Sequence, residues 1–400
     1  MALAPRRRPF HHGRFLQPRL PAFWLYLVLL VTTGLVAVAQ QAVFRDAAPG
    51  GFALSWLLLA VYALPVFVVV YLLDLYEREP ISLMVAAFLW GAVVATTLSA
   101  IGNGGWGLVV ARVGGPEFAA RWTAALTAPF VEETLKGLGV VMVYLIARDE
   151  FDDVMDGFVY GAVCGLGFAI VEDVVYFAVA FGGGIGGVLQ GFFLRVVASG
   201  LYSHVLYTGL VGMGVGIVVS RRSTESRGRR LRRASGLCAV AVFAHLLWNS
   251  PLLNLFPDEP WTGRDWAVIP VATAVKGLPL LIFVTIAVVL ARRRERRWLH
   301  DALSSEVGRD GVTPEELRLL EAPRLRRDAR RTMRRRAGSR AASVLRRLQR
   351  EQMNLAMVTS RAADPADPAV ADQRDLCRSL RDALRAIPGA APAESGGIDG

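Results

Sequence analysis

The chain is 400 residues long and 54% hydrophobic, with a mean hydropathy of +0.40 and a formal net charge of +11. Apolar residues gathered into long runs, with arginine packed between and after them, exclude an ordinary soluble domain. Cys164, Cys238 and Cys377 show no paired spacing, which excludes a disulfide framework and a cysteine-type zinc motif.

A run of roughly 20 mostly apolar residues crosses a bilayer core. Eight such runs lie near 23–40, 52–73, 81–102, 122–146, 156–181, 192–219, 234–256 and 266–291. They predict an all-α fold, a polytopic transmembrane bundle of about eight helices. The organisation that follows is a basic arm over 1–22, a membrane domain over 23–291 and an Arg-rich tail over 292–400. Ala37-Val38-Ala39 resembles a signal-peptidase site, but the run before it is long for a signal peptide, so a retained helix is expected. Lysine occurs only at Lys136 and Lys276 while arginine is abundant, the bias of a GC-rich bacterial genome.

Arg6, Arg7, Arg8, Arg14 and Arg19 precede the first run. Arg221, Arg222, Arg227, Arg229, Arg230, Arg232 and Arg233 separate the sixth from the seventh, and Arg292, Arg293, Arg294, Arg296 and Arg297 follow the eighth. With eight spans all three clusters share one side. The positive-inside rule makes that side the cytoplasm. The opposite loops hold little beyond Arg45, Arg112 and Arg264. A multi-pass plasma-membrane protein with both termini cytoplasmic is expected.

An ionisable side chain at mid-membrane costs at least ~2.5–3.5 kcal/mol on insertion scales and needs a partner or a purpose. The fourth run carries Glu132, Glu133 and Lys136, the fifth Glu172 and Asp173, the sixth His204 and the seventh His245. His11, His12 and His300 lie outside the membrane runs. Helix rise puts Glu132 and Glu133 ~15 Å below the outer surface, Glu172 ~24 Å above the inner one, His204 ~18 Å down and His245 ~17 Å up. Four helices thus place their polar groups in one layer, between the midplane and the outer third.

Gly157, Gly161 and Gly165 form a small-residue ridge for close helix approach, which Phe168 and Glu172 continue at helical spacing. His245 and Asn249 share a face, and Lys136 lies within reach of both glutamates. Two readings follow. In one, Glu132, Glu133 and Lys136 form a buried salt bridge and each histidine bridges helices. In the other, the layer is a single site. Two histidines and a carboxylate suit zinc with a position left for water. A further carboxylate then serves as general base. On that reading Glu172, His204 and His245 are the metal ligands, one of Glu132 and Glu133 is the base, and Lys136 balances the other. Asn249 could donate to a developing oxyanion. No His-Glu-x-x-His, Gly-x-Ser-Gly or aspartyl-dyad pattern is present. Spacing alone does not separate a zinc site from a metal-free glutamate site.

Glu132-Glu133-Thr134-Leu135-Lys136 resembles the Glu-Glu-x-x-Lys motif of the PrsW intramembrane proteases. Asp156-Gly157-Phe158-Val159-Tyr160-Gly161, continued through Gly165 to Glu172, is similar to that family's second motif. His204, and His245 with Asn249, resemble its later histidine motifs. The resemblance covers about residues 55–290 and extends to CAAX-prenyl endopeptidases and bacteriocin-immunity proteins. Asp173 stands where the family usually has Asn, and the basic tail lies outside the pattern. The resemblance implies an intramembrane endopeptidase that cleaves membrane-anchored proteins, typically single-span anti-sigma factors, with Zn2+ as cofactor. The alternative is a non-catalytic transporter, immunity or scaffolding factor that uses the same layer for ion or partner binding.

Of the remaining intramembrane charges, Lys276 is expected to pair with a carboxylate or line a watery cavity, and Arg195 to snorkel near the end of its span. The tail is expected to be solvated and partly disordered, with helices broken near 308–314, Gly338 and 365–368. Its stretch from Arg324 to Arg347 could bind anionic lipid headgroups at ~1 kcal/mol per basic residue. No motif that reads nucleic acid is present.

Overall fold

Long apolar runs without water to satisfy their backbone can close their hydrogen bonds only within helices or barrels, and here they form helices. The computed structural model describes residues 15–73, 79–198, 203–220, 225–252, 265–362 and 367–390. Arg6, Arg7, Arg8, Arg14, Arg221, Arg222 and Arg264, with His11 and His12, lie outside the described residues. The helices are α1 (Pro21–Ala47), α2 (Pro49–Leu73), α3 (Ile81–Leu89), α4 (Thr96–Gly114), α5 (Pro116–Ile146), α6 (Val154–Val179) and α7 (Ile185–Phe192). They continue with α8 (His204–Val219), α9 (Arg227–Asn249), α10 (Asp265–Ser304), α11 (Pro314–Glu321), α12 (Pro323–Arg361) and α13 (Pro368–Arg385). A π-helical segment, Trp90–Ala95, joins α3 to α4, and a second, Phe193–Ala198, follows α7. The described residues contain no sheet, only an isolated bridge between Val307 and Val312.

Among the described residues, six helices are long and apolar enough to cross a membrane: Pro21–Ala47, Pro49–Leu73, Ile81–Gly114, Val154–Val179, Arg227–Asn249 and Thr273–Ser304. They make this a multi-pass membrane protein. The fourth expected span is α5, a 31-residue helix interrupted in its apolar character by Glu132, Glu133 and Lys136. The sixth expected span, 192–219, is not one helix. It is divided into the apolar segments Ile185–Ala198 and His204–Val219. Ser203 has extended backbone angles (φ −99°, ψ −165°), so α8 starts at His204 and the histidine sits on a first turn instead of deep within a helix.

By compactness the chain divides into two units, one built mainly from Phe10–Asp74 and Arg78–Val289, the other mainly from Leu290–Gly400. In the first, α6 is central and almost wholly buried. A capping box starts it: Asp153 Oδ1 accepts from the Met155 amide at 2.6 Å, and Asp156 Oδ2 accepts from the amides of Asp152 and Asp153 at 2.7 and 2.8 Å. Asp156 is therefore a helix cap. The glycine ridge packs directly on the α8 backbone. A Cβ at Gly157, Gly161 or Gly165 would lie 2.1, 2.3 or 2.2 Å from the carbonyl oxygens of Gly212, Thr208 and His204 respectively. These contacts step along both helices by four residues and end at His204. On another face, the Trp90 indole donates to the Leu135 carbonyl at 2.9 Å and ties the π-helical segment to α5.

The second unit has its own apolar core. Leu299, Leu303, Leu317, Leu320, Leu345, Leu348, Leu355, Val370, Cys377 and Leu380 are buried together. Arg381 donates to both carboxylate oxygens of Glu316 (2.9 and 2.7 Å) and to the carbonyls of Asp310 and Gly311 (2.9 and 3.0 Å). The tail expected to be solvated thus carries a packed core over its described residues, because leucines recur at helical spacing between the arginines. Two of the expected breaks appear as left-handed glycines, Gly308 (φ 82°) and Gly338 (φ 84°), the latter kinking α12; the third, 365–368, lies partly outside the described residues.

Candidate functional site

Four helices bring the predicted polar residues together. Glu132, Glu133 and Lys136 share one face of α5, Glu172 comes from α6, His204 from the start of α8 and His245 from α9. The glycine ridge sets the distance between α6 and α8, and α8 in turn places His204 Nε2 3.0 Å from Glu172 Oε2. Lys136 is fully buried at the centre. Its Nζ lies 2.6 Å from Glu133 Oε1, 3.5 Å from Glu132 Oε2 and 2.8 Å from His204 Nδ1, and 4.1 Å above the Phe168 ring. One ammonium thus faces two carboxylates on its own helix, which accounts for burying three charges so close together.

Glu133 is held by three partners. Beyond Lys136, its Oε1 lies 3.0 Å from His245 Nδ1, and its Oε2 accepts from the Thr208 hydroxyl at 3.0 Å. Glu132 Oε1 accepts from the Asn103 amide at 3.0 Å, while its buried Oε2 accepts no hydrogen bond. That oxygen lies 3.8 Å from His245 Nε2 and 3.9 Å from His204 Nδ1. The His245 ring stacks on Tyr207 at 4.8 Å with an interplanar angle of 6° and meets the His204 ring edge-on at 5.0 Å.

Among the described residues, Glu132, Glu133, His204 and His245 form a group whose donor atoms all lie within 4.8 Å of one another. Glu172, grouped with the histidines from sequence, stands outside that set. Its Oε2 instead contacts His204 and accepts from Arg195 at 2.8 Å. Arg195 also donates to Asp173 Oδ1 at 2.5 Å and stacks over the Tyr176 ring at 3.7 Å. It does not snorkel; it neutralises the two adjacent acids of α6, which explains how a second acid is accommodated at position 173. Among the described residues, Lys276 pairs with no carboxylate. It donates to the carbonyls of Trp248 and Ser250 at 3.3 and 3.1 Å, bracketing Asn249 at the end of α9. Asn249 Nδ2 donates to the Ala124 carbonyl at 3.4 Å.

The cluster opens onto a cavity of about 960 Å³, whose walls include Glu132, Glu172, Arg195, His204, His245 and Asn249. Asn103, Thr208, Arg195 and Tyr207 are the partners that sequence reasoning missed as part of the site. Asn103 left a usable signal, an amide in an otherwise apolar run, whereas Thr208 and Tyr207 look like ordinary membrane-helix residues.

The family model for PrsW family intramembrane metalloproteases matches residues 79–295, more than half of the chain. The chain belongs to the PrsW family. The matched residues include every member of the cluster. Protease PrsW of Bacillus subtilis (strain 168) is 34% identical over 106 residues, which cover 26% of this chain and 45% of that protein. Protease PrsW of Geobacillus kaustophilus (strain HTA426) is 35% identical over 106 residues, covering 26% and 44%. The chain thus spans under half the length of the curated relatives it matches. No solved structure matches.

Proposed function

We propose that this PrsW family member is an intramembrane endopeptidase that cleaves membrane-anchored protein substrates, oriented with both termini in the cytoplasm. The observation that carries the reading is the buried group of two carboxylates and two imidazoles within 4.8 Å of one another. Its donors suit a zinc-type ion, and the buried Glu132 Oε2 without a hydrogen-bond partner fits a cation beside it. His204, His245 and Glu133 would hold the ion, which when bound supplies a water that deprotonates near neutral pH. Because His204 Nδ1 contacts Lys136 at 2.8 Å, use of that nitrogen as a ligand leaves Lys136 to its two glutamates.

Glu132, the paired carboxylate that lines the cavity, takes the proton of the attacking water on its free Oε2 and passes it to the leaving amine. Lys136 balances the charge of Glu133. Glu172, held by Arg195, orients the His204 ring from its far side, as a carboxylate behind a ligating histidine does. Asn249 donates to the oxyanion that forms on the scissile carbonyl.

The test is metal analysis of the purified protein beside a His204→Ala/His245→Ala variant, with cleavage of a single-span membrane protein by Glu132→Gln and Glu133→Gln variants that insert normally. About one ion per chain, lost in the double variant, is expected, together with loss of cleavage. Equal metal in both proteins sinks the zinc assignment; full cleavage by both glutamine variants sinks the roles given to Glu132 and Glu133, and no cleavage by the unsubstituted protein sinks the protease reading.

A further inference from the structure

The cavity has a second polar wall, which meets the cluster at Asn103. Gln41 on α1 and Ser99 and Asn103 on α4 line it, among mostly small residues such as Ala37, Ala100 and Ala124. Gln41 Oε1, Ser99 Oγ and Asn103 Oδ1 are all buried and none has a hydrogen-bond partner. Native proteins leave few buried polar side-chain atoms unpaired, because each costs its full desolvation. Three of them on residues that line one cavity, with Glu132 Oε2 as a fourth, is therefore a concentration that calls for a ligand. Ser99 and Asn103 are four residues apart and share one face of α4, so the two side chains are spaced along the cavity wall by about one helical turn. The far end of the Asn103 side chain reaches the cluster, donating to Glu132 Oε1 at 3.0 Å.

We infer that Gln41, Ser99 and Asn103 form a hydrogen-bonding track for the main chain of an unwound substrate segment. The inference rests on the proposed protease reading for its purpose, and it deepens that reading by naming how substrate is held. A peptide bond inside a transmembrane helix is shielded by the helix, and opening it in a bilayer exposes amides that find no water. A cavity that presents acceptors without partners takes up those N–H groups and so selects segments that unwind easily over segments that stay helical. Two of the three free atoms, Gln41 Oε1 and Asn103 Oδ1, only accept, which matches the N–H groups of an opened backbone. The small side chains between them leave room for a passing chain.

The test uses full-length protein carrying Glu133→Gln, so that binding is read without turnover. The probes are two fluorescein-labelled single-span poly-Leu/Ala peptides in detergent micelles, one with a central Gly-Gly-Pro interruption and one without. The track predicts that the interrupted peptide binds at least 10-fold tighter than the continuous one, and that Gln41→Leu/Ser99→Ala removes most of this preference. The same double variant is expected to unfold at an equal or higher temperature, since it removes polar atoms that have no partner in the free protein. Asn103→Leu supplies an independent substitution with the same expected loss of preference.

Equal binding of the two peptides by the parent, or a preference kept by both variants, overturns the inference. So does a lower unfolding temperature for the Gln41→Leu/Ser99→Ala variant, because it assigns those side chains a structural role. Cleavage of the interrupted peptide by the unsubstituted protein bears separately on the protease reading. Preference without cleavage leaves the track standing and removes the protease.

Discussion

Gly165→Ala isolates how helix approach controls the site, because it adds one methyl group and touches no polar atom. The new Cβ would lie 2.2 Å from the His204 carbonyl oxygen and 2.7 Å from its carbon, where ordinary contact begins at 3.4 Å. Relief requires α6 and α8 to separate locally by about 1.2 Å (3.4 − 2.2). If that falls along the line between His204 Nε2 and Glu172 Oε2, the present 3.0 Å opens to as much as about 4.2 Å, too long for a hydrogen bond. Overpacking costs about 1–3 kcal/mol, and the gain in helix propensity returns up to about 1 kcal/mol. The net loss of stability is therefore modest. The effect on rate is not, since a misplacement of about 1 Å can cost about 10²-fold. The assay is cleavage of a single-span substrate in proteoliposomes, run beside thermal unfolding. Gly105→Ala is the control, because nothing lies within 4 Å of a Cβ there; it should retain activity and match or exceed the parent in stability. Gly165→Ala with activity within threefold of the parent would refute the argument that the ridge sets the site geometry.

Lys136→Met leaves Glu133 and Glu132 buried without the ammonium now 2.6 and 3.5 Å away; breaking such a group costs about 3–5 kcal/mol, to be read as a large drop in unfolding temperature. Lys276→Met removes the donor to the Trp248 and Ser250 carbonyls. A loss of about 1–3 kcal/mol is expected in thermal unfolding, with a lower kcat at little-changed KM if the α9 end positions Asn249. Arg381→Leu strands Glu316 in the tail and should make residues 290–400 susceptible to limited proteolysis at temperatures where the parent resists. Burial pushes the Cys377 thiol up to about 12. At pH 8 only about one part in 10⁴ is thiolate, so in a Cys164→Ala/Cys238→Ala background maleimide should label Cys377 only after denaturation.

The helical class and the position of the polar layer are legible in the sequence because a bilayer makes both conspicuous. Charges are rare enough within apolar runs that Glu132, Glu133, Lys136, Glu172, His204 and His245 stand out by residue type alone. The geometry gathers Glu132, Glu133, Lys136, His204 and His245 around one buried centre, with Glu172 on the far side of His204.

Hydropathy does not reveal the break in the sixth run, since α7 and α8 are both apolar and the start of α8 at His204 is marked by the extended backbone of Ser203. The partners of single charges are equally hidden. Arg195 cannot be matched to Glu172 and Asp173 from sequence, nor Lys276 to two carbonyls at the end of α9, because the pairing depends on helix rotation and contact across more than 20 residues. The packed core of the tail is masked by its arginines, which dominate composition although the leucines decide burial. Sequence by itself determined which residues must be buried together, since mid-membrane charge admits few solutions. Only the tertiary structure decided which carboxylate has three partners and which keeps an oxygen without a hydrogen bond. Glu132 and Glu133 are chemically identical neighbours, and they differ here because α8 and α9 give Thr208 and His245 to Glu133, while α4 leaves Glu132 one oxygen without a hydrogen bond.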